Sequence, residues 1–167
     1  MKVIGIDPGY ERLGLAIIEH DHGRPDQLLY STCLTTAAGQ PFPVRLYQLA
    51  NQLEKILLEY RPEILVLEKI FFTSNQKTAV AVAEVRGVVT YLAQKHGLAI
   101  LDLTPLEVKM TITGYGRADK NQMKNMIVRL LGVTQSIQYD DETDAMAIAV
   151  AGALQAPTRL IHKLETN

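Results

Sequence analysis

Between Tyr139 and Val150 the chain reads YDDETDAMAIAV. Four acids occupy five positions, and directly behind them stand almost nothing but small apolar side chains, the longest unbroken apolar run being Ala145 to Leu154. A helix apolar on every side is stable only when it is covered on every side. The acids therefore stand at the lip of a buried element. Either they cap that helix, or they are gathered to hold something positive.

The preceding chain supplies the elements that could bury it. KVIGID reads as a covered strand turned by Pro8-Gly9, followed by strands over Leu13 to Glu19 and through QLLYSTCLTT. Three strands with short connections predict an antiparallel meander. Leu46, Leu49, Leu53, Ile56, Leu57 and Tyr60 then recur at helical spacing, predicting a helix from about Pro43 to Tyr60. EILVLE is a strand apolar on both faces, as in a covered parallel sheet. A polar loop near Thr73 to Lys77, a helix from Ala79 to Lys95 and a fifth strand, LAILDL, follow. Two shorter helices are predicted, Pro105 to Ile112 and Asp119 to Leu131, the second with Met123, Met126, Ile127, Leu130 and Leu131 on one side. The acidic helix comes last, and PTRLIHKLETN reads as a polar tail. The expected architecture is α/β: a mixed five-stranded sheet with helices on both faces, one domain over residues 1–156 and a tail over 157–167.

Bulk properties exclude several classes. The single cysteine, Cys33, rules out an internal disulfide and reads as a buried strand thiol. The apolar run of the last helix is far short of the ~20 residues a bilayer span needs. No secretory signal precedes Asp7, so a cytoplasmic protein is expected. The net charge of -1 argues against an indiscriminate nucleic-acid coat. That average conceals an asymmetry, however. Thr104 to Leu131 holds five cations (Lys109, Arg117, Lys120, Lys124, Arg129) against two anions, whereas Gly132 to Val150 holds four anions and no cation. A basic stretch beside an acidic one suits a metal-dependent enzyme acting on a polyanion.

Two more acids occupy informative positions. Asp7 closes the first strand and Glu68 the fourth. Ligands of open α/β sheets collect beyond the carboxyl ends of strands, so the two acids are candidates for one site. In the last helix Asp141 and Asp144 share a face at i, i+3, and Asp140 and Asp144 do so at i, i+4. Spacing does not choose between them. Capping of the helix start by Asp140 or Asp141 is the competing explanation, and Asp7 could simply begin an Asp-Pro-Gly turn. Asp144 resists that account, because an uncompensated carboxylate one turn inside an apolar helix is expensive. A shared cause for all of them is a hard divalent cation, which takes oxygen ligands. Two such ions ~3.5–4 Å apart can activate water and stabilise the leaving oxygen of a phosphodiester. Without a cation at least one of these acids should titrate high. The HDH at His20 to His22 lies between strands and reads as a loop feature, and GYGRADK lacks a phosphate-loop pattern.

The segments GIDPGYERLGLAII, LEKIFF, RGVV, TPLEVKMTITGYGRADK and DETDAMAIA jointly resemble the RuvC family of Holliday junction resolvases, within the ribonuclease H-like nucleases. The resemblance runs from Lys2 to about Gly152. It implies an acidic tetrad at Asp7, Glu68, Asp141 and Asp144, thereby selecting Asp141, and functional lysines at Lys109 and Lys120. It also implies a homodimer that binds a four-way DNA junction and makes two symmetric nicks with Mg²⁺, two ions per site, for which Mn²⁺ can substitute. The RuvA–RuvB branch-migration motor is the implied partner. Phe71 or Phe72 is expected to stack on a splayed base, worth ~1–3 kcal/mol. Arg117 and Lys124 complete the expected DNA contacts with Lys109 and Lys120. Arg86 and Gly87, within RGVV, fall in the helix implied at the dimer contact and carry no expected chemical role. Glu142 and Thr143 stand where the family's motif has alanines, and add charge and bulk beside the site. The alternatives are a related nuclease acting on structured RNA and a branched-DNA binding module that does not cut.

Overall fold

Alternation of side chains along each strand decides which residues meet which layer. The computed structural model describes residues 1–69 and 76–165, with side chains at 1–69 and 79–156. β1 (Lys2–Asp7), β2 (Arg12–Glu19) and β3 (Gln27–Thr35) form the expected meander, each antiparallel to the last. The chain then crosses over through α1 (Phe42–Tyr60) to β4 (Ile64–Glu68), which lies parallel to β1. A second crossover, α2 (Gln76–Lys95), leads to β5 (Ala99–Leu103), parallel to β4. The sheet order is β3-β2-β1-β4-β5. α3 (Pro105–Thr113), α4 (Lys120–Leu131) and α5 (Asp140–Glu165) complete the chain.

Odd and even positions divide the core in two. Val3, Ala16, Ile18, Ile64, Val66 and Leu103 join a cluster with α3, α4 and α5. Ile4, Ile6, Leu15, Ile17, Leu65 and Leu67 join the opposite cluster, with α1 and α2. Helices therefore cover both faces. α5 lies against β1 and β2 so closely that glycine is required beneath it: a Cβ at Gly5 would sit 2.4 Å from the Ala145 carbonyl oxygen, and one at Gly14 would sit 2.0 Å from that of Asp141. The small side chains of α5 serve the same end, with Ala145, Ala149, Ala151 and Ala153 fully buried.

Four expectations are corrected. α5 does not stop before Pro157 but continues to Glu165, through the stretch read as a polar tail. Proline keeps a helical φ but loses one N–H bond and crowds the carbonyl one turn earlier, a cost of ~3 kcal/mol that the helix bears without ending. α2 begins at Gln76 rather than Ala79, inside the expected polar loop. Leu130, read as part of the buried side of α4, is 46% exposed, since Met123 and Ile127 already fill the contact. Cys33 is only partly buried. His20 is buried and bonded through Nδ1 to Asp26 at 2.6 Å, a structural histidine. Among the described residues no helix is long and apolar enough to cross a membrane.

Candidate active site

The parity that sorts the core also builds the site. Asp7 follows Val3 and Gly5 on the α5 side of β1, and Glu68 follows Ile64 and Val66 on the same side of β4. β1 and β4 are adjacent and parallel, so the two carboxylates end neighbouring strands at the same edge of the sheet. The first turn of α5 crosses above them and brings Asp144. Asp7, Glu68 and Asp144 together line a cavity of about 230 Å³, closed by Pro105, Val108, Met123, Ala147 and Ile148.

Three half-buried acids in one apolar-walled cavity repel one another. The Asp7 carboxyl is pushed up to about 7, first by burial and then by the charges of Asp144, Glu68 and Asp141. Glu68 is raised by burial and by Asp144, against the lowering influence of Lys109. Burial raises Asp144 too, with Lys120 opposing it. These directions match the sequence-based expectation that at least one acid titrates high.

Cations answer the charge from the rim. Lys120, one residue past the Asp119 cap of α4, places Nζ 3.6 Å from Asp144 and 3.7 Å from Asp140. Lys124, one turn on, lies 3.3 Å from Asp140. Lys109 lines the cavity on the Glu68 side. Arg117 is exposed in the turn between α3 and α4 and is not among the cavity residues. Phe71 and Phe72 lie outside the described residues. Asp140 and Asp141, ambiguous by spacing, separate in space: Asp140 is an exposed partner of the two lysines, whereas Asp141 packs by its backbone over Gly14.

The structure gives contacts to two residues that the sequence left without a chemical role, Arg12 and Arg86. Arg12 Nε lies 3.3 Å from Asp141, and the same guanidinium sits 5.5 Å from the centre of the Tyr139 ring. Arg86, on α2, donates from Nη1 to the Glu68 carbonyl oxygen at 2.7 Å and pairs through Nη2 with Asp102. It fixes the last residue of β4 at a point where pairing with β1 has already ended, at Ile6 and Leu67. The Arg12 contact joins β2 to α5, far apart in sequence, whereas Arg86 ties α2 to its chain neighbours β4 and β5. The added charge of Glu142 is accommodated by the Ser31 hydroxyl, which donates to its Oε1 at 2.5 Å.

The donor set is entirely carboxylate oxygen, which suits a hard divalent cation rather than zinc or a soft metal. The elevated acids show a surplus of negative charge that a cation would relieve. Among the described residues no three such side chains are drawn close enough to hold one ion as they stand; Asp141 is engaged by Arg12 and Asp144 by Lys120. The residues fit a divalent ion in kind, and two of the four carboxylates face a cationic side chain as they stand.

Comparison with known proteins identifies the fold and the family. Residues 3–152 match the family model of the crossover junction endodeoxyribonuclease RuvC. A RuvC from Syntrophomonas wolfei is 40% identical over 150 residues, covering 90% of this chain and 87% of the relative. One from Caldicellulosiruptor saccharolyticus is 37% identical over 165 residues, covering 99% of both. The structure of Thermus thermophilus RuvC in complex with a Holliday junction substrate superposes with a TM-score of 0.88 at 28% identity, over 95% of this chain and 96% of that one. The yeast mitochondrial Holliday junction resolvase Ydc2 shares the fold alone, with a TM-score of 0.65 at 14% identity over 90% of this chain and 77% of that one. The sheet, the helices on its faces and the matched family together make this chain a member of the RuvC family of crossover junction endodeoxyribonucleases, ribonuclease H-like hydrolases of phosphodiester bonds.

Proposed function

We propose that this chain resolves four-way DNA junctions by paired, symmetric nicks in homologous recombination and repair. Nucleases of the family are metal-dependent. The observation that carries the reading is the cavity itself: Asp7, Glu68 and Asp144 around one opening, with Lys109 and Lys120 beside them, in a chain that superposes on a junction-bound relative. Asp7, Glu68, Asp141 and Asp144 would hold the ion, Mg²⁺ with Mn²⁺ able to replace it, and two ions per site. When bound, such ions supply a water nucleophile at neutral pH and offset charge on the departing oxygen.

The chain's own groups do the remainder. Burial of the carboxylates keeps the cavity poor in competing water and strengthens each electrostatic interaction inside it. Lys120 is held at the mouth by two aspartates, within reach of a backbone phosphate as those contacts open. Lys109 places a positive charge against Glu68, on the wall a strand would pass. Arg117 and Lys124 extend the basic rim, and Phe71 or Phe72 is assigned the base-stacking role. Two such sites, one per protomer of a homodimer, would account for symmetric nicking. Action in the cytoplasm alongside the RuvA–RuvB motor completes the proposal, as does a domain ending near residue 156.

The test is cleavage of a mobile four-way junction, a linear duplex and a structured RNA under one Mg²⁺ concentration. Nicks at matching positions in opposite strands of the junction, with the other two substrates spared, support the reading. Preferential cutting of the RNA, or tight junction binding with no cutting across Mg²⁺ and Mn²⁺ titrations, would overturn it.

A further inference from the structure

The pair between Arg12 and Asp141 serves the fold poorly but the site well. Arg12 begins β2, two residues before Gly14, and so faces the same side of the sheet as α5. Its side chain is 51% exposed, and an exposed ion pair contributes only ~0.2–1 kcal/mol. Nothing in the core depends on it. Yet the guanidinium is placed with care: Nε faces the Asp141 carboxylate at 3.3 Å, and the Tyr139 ring lies beneath at 5.5 Å. Arginine suits such a position, being charged at every working pH and able to bond a carboxylate while lying over a ring. Asp141 is the one member of the acidic tetrad that does not line the cavity.

We infer that Arg12 is a resident counter-cation of the metal site, a positioning residue that holds Asp141 away from the cavity until a divalent ion displaces it. The inference rests on the metal-binding reading given above. Lys120 does the corresponding work for Asp144 from the opposite side, at 3.6 Å. With two of four carboxylates engaged, the remaining repulsion falls chiefly on Asp7 and Glu68. A divalent ion must compete with both internal cations, so Arg12 sets the ion concentration at which the site loads. The structure thereby links the first residue of β2 to the metal threshold of the enzyme.

The direction of the effect separates this role from damage to the fold. Damage weakens ion binding, whereas removal of a competing cation strengthens it. Mn²⁺ binding to the full chain, followed by the electron paramagnetic resonance signal of the free ion and without DNA, is the readout. Arg12→Gln should bind Mn²⁺ severalfold more tightly than the wild type. Arg12→Lys, which keeps the charge, should fall between them. Lys124→Gln deletes the same charge from Asp140 instead, and should change affinity less than Arg12→Gln. Unchanged or weaker binding by Arg12→Gln, with the wild type binding normally, overturns the counter-cation role and leaves the metal site standing. An equal gain in Lys124→Gln also overturns it, by showing a general charge effect. Failure of every protein, wild type included, to bind Mn²⁺ overturns the metal-site reading and the inference with it.

Discussion

Asp7 concentrates the physical conflict of this molecule in one side chain. Folded, it keeps its proton to about pH 7; unfolded, an aspartate releases it near 3.9. Between those values the folded state binds the additional proton, so stability falls as pH rises through that window and levels off above it. The shift corresponds to about 4 kcal/mol as an upper bound, at ~1.4 kcal/mol per pH unit, and Glu68 and Asp144 act in the same direction. Thermal denaturation in EDTA should therefore show a midpoint that declines from pH 5 to pH 8. Asp7→Asn should flatten that slope and raise the midpoint at pH 8, and an unchanged or lower midpoint there would contradict the crowding. Divalent ions should reverse the decline, because they favour the ionised form. At this scale the sequence was informative where chemistry follows from backbone position. An acid ending a covered strand projects beyond the sheet whatever the details, so Asp7 and Glu68 were legible. The choice between Asp140 and Asp141 came from family resemblance, since both spacings share a helix face. The contacts of Arg12 and Arg86 were not legible, because local pattern does not encode where a long side chain turns between packed elements.

Among the elements, α5 determines the geometry. Its Asp144 reaches the cavity because the helix lies nearly on the backbone of β1 and β2, over Gly5 and Gly14. Gly14→Ala would drive a methyl into the Asp141 carbonyl and push the first turn of the helix outward. A loss of ~1–3 kcal/mol is expected for such overpacking, or several degrees of thermal midpoint at ~2–4 °C per kcal/mol, with a larger proportional loss of metal affinity than of stability. Gly87→Ala is the matched control: no heavy atom lies within 4 Å of its would-be Cβ, and alanine is the better helix former by up to ~1 kcal/mol. Equal melting of the two variants would show that close approach beneath α5 does not matter. Element type and order followed from periodicity; the capping boxes at Thr104 and Asp119 and the glycines ending α3 and α4 emerge from the structure. The ends of α2 and α5 did not, because polar residues and a proline weaken the periodic signal without forbidding helix.

For the whole molecule, the difficulty is to bind a polyanion with a net charge of -1. Affinity must then come from the local basic rim, and from dimerisation doubling it. Contacts to phosphate release counterions, so junction affinity should fall steeply with salt, a slope near 0.9 per phosphate contact on a logarithmic plot. Lys109→Gln and Lys124→Gln should each reduce that slope by about one. A slope indifferent to both substitutions would place the DNA on another surface. The layer architecture was readable from three consecutive strands followed by alternation, while the internal ion pairs of Asp141 and Asp144 were not, because they depend on side-chain orientation.

The central claim is that carboxylates from β1, β4 and α5 form one metal-dependent cutting site. Its most direct test is Asp7→Asn assayed on a mobile four-way junction in Mg²⁺, with binding and cleavage measured on the same preparation. Junction affinity should match the wild type while both nicks disappear. Nicking at a rate comparable to the wild type would contradict the account.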